Sequence, residues 1–175
     1  MLKLILIIII LAIIVALIYA ATKPNTFRIE RSINIKASPE KIFPLIADFH
    51  YMNAWSAWEN IDPAMQRSYS GAESGKGAMY AWDGNKEIGQ GSMEILEATT
   101  SSKVLIKLDF YKPFEAHNMA EFTLVQHGET TTVTHAMFDP SPFISKLMSL
   151  VFSMVKMVGS KFEEGLANLK AIAEK

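Results

Sequence analysis

The chain has 175 residues, half of them hydrophobic, with no cysteine and a formal net charge of −1. Lack of cysteine excludes disulfides, thiolate metal sites, a Cys nucleophile and a lipidated-Cys anchor. The near-neutral balance argues against a basic nucleic-acid surface, so DNA and RNA are not expected partners.

The hydrophobic half is unevenly spread. Twenty of the first 21 residues are apolar, Lys3 being the exception, and the residues after them carry 16 Lys+Arg against 18 Asp+Glu. That remainder has the composition of one ordinary domain with a real core. Residues 4–21 form an uncharged apolar run. As a helix such a run spans roughly 27 Å, close to the ~30 Å of a bilayer's hydrocarbon core. The segment therefore predicts a single membrane crossing. A cleavable signal peptide is the competing reading, but cleavage after Ala20 places Ile18 at −3 and cleavage after Ala21 places Tyr19 there, where a small residue is needed. The N-terminal amine and Lys3 on one side face Lys23, Arg28 and Arg31 on the other, so flanking charge assigns no side of the membrane to the domain. The expected organisation is an anchor over 1–21, a polar linker over 22–26 and one domain over 27–175, with a single-pass membrane location.

Residues 27–36 alternate, with Phe27, Ile29, Ile33 and Ile35 on one face, which predicts a half-buried strand. Arg31 breaks the pattern by falling on the apolar face. Ser38-Pro39 supplies a cap and a first-turn proline for a helix carrying Ile42, Phe43, Leu45 and Ile46. A second short helix is expected near 49–54. Six further strands follow over 65–70, 78–82, 87–97, 103–111, 115–126 and 130–138, separated by turn-forming glycines, prolines and asparagines. Their connections are too short for crossover helices, so the seven-stranded sheet should be antiparallel. Asp139-Pro-Ser-Pro142 ends the last strand and opens a final helix over 143–173, striped by Leu147, Val151, Met154, Val158, Phe162, Leu166 and Leu169. Its first half is apolar almost all round, as expected of a helix that faces a cavity, a partner or lipid.

This α+β order of strand, two short helices, six strands and one long helix resembles the helix-grip fold, in which a sheet curls around the C-terminal helix and encloses a cavity. Trp55-Ser-Ala-Trp58-Glu-Asn-Ile-Asp62-Pro63, Tyr69-Ser-Gly71 running on through Gly75-Lys-Gly77 to Tyr80-Ala-Trp82, Lys112-Pro113-Phe114 and Phe162-Glu-Glu-Gly-Leu166 look like the polyketide cyclase/dehydrase and lipid-transport branch of the SRPBCC superfamily. The resemblance covers about 27–175. It implies binding of a hydrophobic small molecule or lipid between sheet and helix, and it maps no catalytic residue onto this chain.

The residues themselves offer little acid–base or metal chemistry. His50, His117, His127 and His135 show no metal-ligand spacing, and no metal or cofactor is expected. His127 falls in a turn, His117 on a solvated strand face with Glu115 and Glu121, and Asp109 opposite in phase to Val104, Ile106, Leu108 and Phe110, towards solvent. His135 alternates with Val133 and Met137, as a core histidine or a polar anchor in a pocket. Arg31 either reaches solvent or Glu30 from a strand end, or holds an acidic head group. The binding expectation rests on Trp55, Trp58, Tyr80, Trp82, Phe110, Phe122 and Phe138 from the strand region, with Leu147, Met148, Val151, Met154, Met157 and Val158 from the last helix. Flexible thioethers suit a surface that accepts varied apolar shapes. The reading favoured is a membrane-tethered, non-enzymatic binding or transport domain. The alternatives are a cyclase- or dehydratase-type enzyme using Tyr80, His135 or Arg31, and a protein-partner module that docks through the apolar helix half.

Overall fold

The computed structural model describes residues 2–140, 146 and 154–175. Helix α1 (Leu2–Thr22) is followed by β1 (Thr26–Ile35), α2 (Pro39–Ala47), a short 3₁₀ helix (Phe49–Ala54) and six strands. These are β2 (Gln66–Gly71), β3 (Ala78–Asp83), β4 (Gln90–Thr99), β5 (Lys103–Lys112), β6 (Ala116–His127) and β7 (Thr130–Pro140). The last helix, α3, runs Met154–Ala173, and the earlier part of the expected helix, 143–153, falls outside the described residues apart from Lys146.

All strand pairs are antiparallel, in the order β1-β7-β6-β5-β4-β3-β2. The expected helix-grip architecture is present. One strand boundary differs: 87–89 form a turn and not the start of β4, because the Asn85 side-chain oxygen accepts from the amides of Glu87 (2.8 Å) and Ile88 (3.2 Å) and Gly89 takes φ +67°. Register shifts at Gln90/Gly91 and Ile95/Glu97 bend β4 against β5. Such bulges increase local twist and help the sheet curl. Gly91 serves the curl in another way. A Cβ there would stand 2.4 Å from Trp82 Cζ2 and 2.5 Å from the Asp109 carbonyl oxygen, so only glycine lets the indole lie across β4.

The register defines two ends of the curled sheet. At one end lie the start of β1, the end of β7 (Thr26 opposite Pro140), the β3–β4 turn and the β5–β6 turn. At the other lie α2 and the β6–β7 turn, with Ile35 opposite Thr131. Helix α3 runs in the same direction as β1. Its Gly159 and Glu163 meet Arg31, Lys170 Nζ donates to the Asn34 carbonyl (2.7 Å) and Glu174 accepts from the Lys36 amide (2.6 Å). The N-terminal turns of α3 therefore sit at the end where α1 enters the domain.

The buried residues divide into two clusters. The larger joins Ile42, Ile46 and Phe49 to Trp55, Ile95, Val104, Phe122, Val133, Leu166 and Leu169. The smaller joins Ile29 and Met137 to Val158 and Phe162. Both clusters contribute walls to a large cavity between sheet and α3.

Candidate functional site

The cavity has a volume of about 730 Å³. That lies within the roughly 300–1,000 Å³ range of small-molecule sites. Its body is apolar, formed by Ile29, Ile106, Leu108, Ala120 and Met137 from the sheet with Val158 and Phe162 from α3.

Of the residues expected from sequence to meet a ligand, Trp55, Trp58, Tyr80, Trp82, Phe110, Phe122 and Val158 all line this cavity, as does His135. The two innermost tryptophans turn their polar edges away from it: Trp55 Nε1 donates to the Leu45 carbonyl (2.8 Å) and Trp82 Nε1 to the Ile88 carbonyl (3.3 Å). What they present to the cavity is therefore ring surface. Trp82 meets Phe110 edge-on at 5.7 Å, and Trp55 meets Phe122 edge-on at 5.7 Å. These are favourable aromatic geometries that hold the walls in place.

Two expectations are corrected. Phe138 lies outside the cavity wall, on the opposite face of β7 from His135 and Met137, where the Arg28 guanidinium stands 5.2 Å from its ring centroid. Arg31 also lies outside the wall. Its Nε donates to Glu163 on α3 and its Nη1 to the Glu30 carbonyl (2.8 Å). Gly159 leaves room for it, since a Cβ there would come within 2.3 Å of Nη2. The guanidinium thus ties α3 to β1 and takes no part in the cavity. Leu147, Met148 and Val151 lie outside the described residues, as does the side chain of Met154.

Polar side chains also belong to the lining, Ser56 and Asn118 among them, and two are notable for their surroundings. The first is His135, whose ring is stacked between Phe122 (centroids 4.0 Å apart) and Phe162 (3.7 Å). Burial pushes its pKa down to about 3, so the imidazole is neutral at pH 7. Among the described residues it has no side-chain hydrogen-bond partner, yet no buried side-chain nitrogen or oxygen is left unsatisfied. The accessible edge of the ring therefore opens onto the cavity it lines.

The second is Glu59, which sequence reasoning missed. Although only 6% exposed, it has both oxygens engaged: Oε1 accepts from the Tyr80 hydroxyl (2.7 Å) and Oε2 from Arg67 Nε (2.7 Å). Burial, then the bond to Glu59, pushes the Tyr80 phenol far above its ordinary value, so it stays protonated and its proton is committed to the carboxylate. Nothing local in Trp58-Glu59-Asn60 signals this inward turn, because its partners come from β2 and β3.

Outside the cavity, Asp109 does face the outer side of the sheet, but it is buried there. Burial alone would raise its pKa; hydrogen bonds from Lys107 (2.7 Å) and His117 (2.8 Å) outweigh that and hold it below the ordinary value. Among the described residues, no group of three or more His, Cys, Asp or Glu is arranged to hold a metal ion.

A family model described as polyketide cyclase / dehydrase and lipid transport matches residues 26–174. Comparison with curated proteins returns no match. Among solved structures, the chain is similar to protein CV1439 from Chromobacterium violaceum (TM-score 0.60, 13% identity, 87% of this chain and 99% of that one). It is also similar to DynU16 from the dynemicin biosynthetic locus (0.61, 15%, 87% and 48%), about half of whose length it spans. Major latex-like protein 151 from Panax ginseng is a third (0.59, 14%, 87% and 100%). At such identities these likenesses concern the fold.

Proposed function

The chain belongs to the polyketide cyclase/dehydrase and lipid-transport family, and on that premise we propose that it is a membrane-tethered domain that holds or passes a lipid or other hydrophobic small molecule. The observation that carries this reading is the apolar cavity of about 730 Å³ between sheet and α3. Its aromatic walls would enclose an apolar body. His135, neutral and unpaired on its cavity edge, would accept or donate one hydrogen bond to a polar atom of that molecule. The tether would be α1, 20 of whose residues (Lys3–Thr22) are long and apolar enough to cross a bilayer and are scarcely buried against the domain.

Binding is favoured over catalysis by the same geometry. General acid–base work at neutral pH needs a group with a pKa near 7. His135 sits near 3, the Tyr80 hydroxyl keeps its proton and donates it in a hydrogen bond to Glu59, and Arg31 is paired with Glu163 outside the cavity lining.

The test is native mass spectrometry of the full chain released from detergent. The expected spectrum contains a co-purified apolar molecule, and Leu108→Trp, which adds an indole to the cavity wall, reduces that species at least several-fold while thermal unfolding shows the variant folded. A parent chain that carries nothing and takes up no added fatty acid would count against the proposal.

A further inference from the structure

The cavity opens at the end of the sheet where α1 enters. Lys23, Pro24, Thr26 and Phe27, which join the anchor segment to β1, are part of the cavity lining, together with Lys112, Pro113 and Phe114 from the β5–β6 turn. Val155 and Met157 from the first turn of α3 complete this rim. The junction is held against the rim: Lys146 Nζ donates to the Lys23 carbonyl (2.9 Å) and to Asn25 Oδ1 (2.6 Å). The end of the anchor is thus bonded to the edge of the opening.

Among the described residues of the domain, the rim also carries the most exposed large apolar groups. Phe114 is 74% exposed, Val155 56% and Met157 55%. Three such side chains around one opening are unfavourable in water and favourable in the interfacial zone of a bilayer. Rim charge does not by itself name the occupant: the lining there holds Lys23, Lys112 and Lys146, with Glu87 opposite in sign. Continuity with α1 does.

From this we infer that the rim formed by Phe114, Val155 and Met157 rests in the surface of the bilayer that α1 crosses, so that an apolar molecule moves between membrane and cavity without entering water. This inference rests on the membrane-anchored reading above. It adds a docked orientation: a domain hanging freely from its linker would satisfy the tether but leave the rim in solvent.

The chain has no cysteine, so one introduced thiol is a unique label. Glu115→Cys, beside Phe114, and Glu129→Cys, in the β6–β7 turn at the far end, would each carry an NBD fluorophore on the full chain. Both would be reconstituted in phosphatidylcholine vesicles with and without doxyl-labelled phosphatidylcholine. The expected result is a blue-shifted, doxyl-quenched label at 115 and an unquenched label at 129. Adding Phe114→Glu and Met157→Glu should abolish quenching at 115 with no change in unfolding temperature, since both side chains are exposed. In a chain that resists alkaline carbonate extraction, equal quenching at 115 and 129 overturns the docked rim alone. Release of the chain by carbonate overturns the anchor and the docked rim together.

Discussion

His135 has its ring between Phe122 and Phe162 and its free edge on an apolar cavity, and that position has a consequence for acid stability. The folded imidazole is held near 3, below the 6.5 of an unhindered histidine. As pH falls below about 6.5 the unfolded chain takes up a proton that the folded chain refuses, so acidification favours unfolding. Stability from this group is complete above about 6.5 and is lost progressively towards 3, at a slope of at most about 1.4 kcal/mol per pH unit. His135→Leu should therefore lose stability less steeply than the parent between pH 6 and 4 in denaturant titrations, although other groups, Asp109 among them, leave a residual slope in both. Parallel slopes would mean that His135 is hydrated and charges freely. Arg31 shows a different residue-scale lesson. Strand phase correctly put it on the inner face, but its partner Glu163 lies 132 positions away, and no local pattern reveals such a pair. Phe138 is the opposite case. The alternation that sets Val133, His135 and Met137 inward already sets Phe138 outward, and phase, not aromatic character, decides the face of a strand residue.

At the scale of elements, strands such as β3 and β6 were legible because one face is buried, which writes a period of two into the sequence, whereas β2 is exposed along nearly all its length and is marked by its turns. The missed segment, 87–89, departs from that period for a local reason, the Asn85 side chain capturing two amides. Glu59 was not legible at all. Its burial depends on Tyr80 from β3 and Arg67 from β2, and only the curl of the sheet brings them together. Gly91 marks where that curl is most constrained. Gly91→Ala forces either Trp82 or the β4–β5 pairing to move by more than a few tenths of an ångström. The expected cost is about 1–3 kcal/mol, as for overpacking elsewhere, seen as a lowered denaturation midpoint at unchanged slope. Wild-type stability in this variant would show that the Trp82 indole does not lie across the glycine.

For the whole molecule, composition alone suggested one apolar segment joined to an ordinary domain, and the fold adds the spatial relation between them. Because α3 runs along β1 and the β3–β4 and β5–β6 turns share an end with the start of β1, the cavity rim and the exit of α1 lie at the same end of the sheet. On the function proposed above, this cavity takes up an apolar molecule. The chain's three tryptophans, Trp55, Trp58 and Trp82, all stand in the cavity wall, so they report occupancy directly. The decisive measurement is a titration of the full chain in lipid nanodiscs with cis-parinaric acid, followed by energy transfer from tryptophan. A cavity that takes up one apolar molecule gives saturable quenching that ends at one probe per chain. Quenching that only rises in proportion to the probe in the bilayer, without saturation, would contradict it.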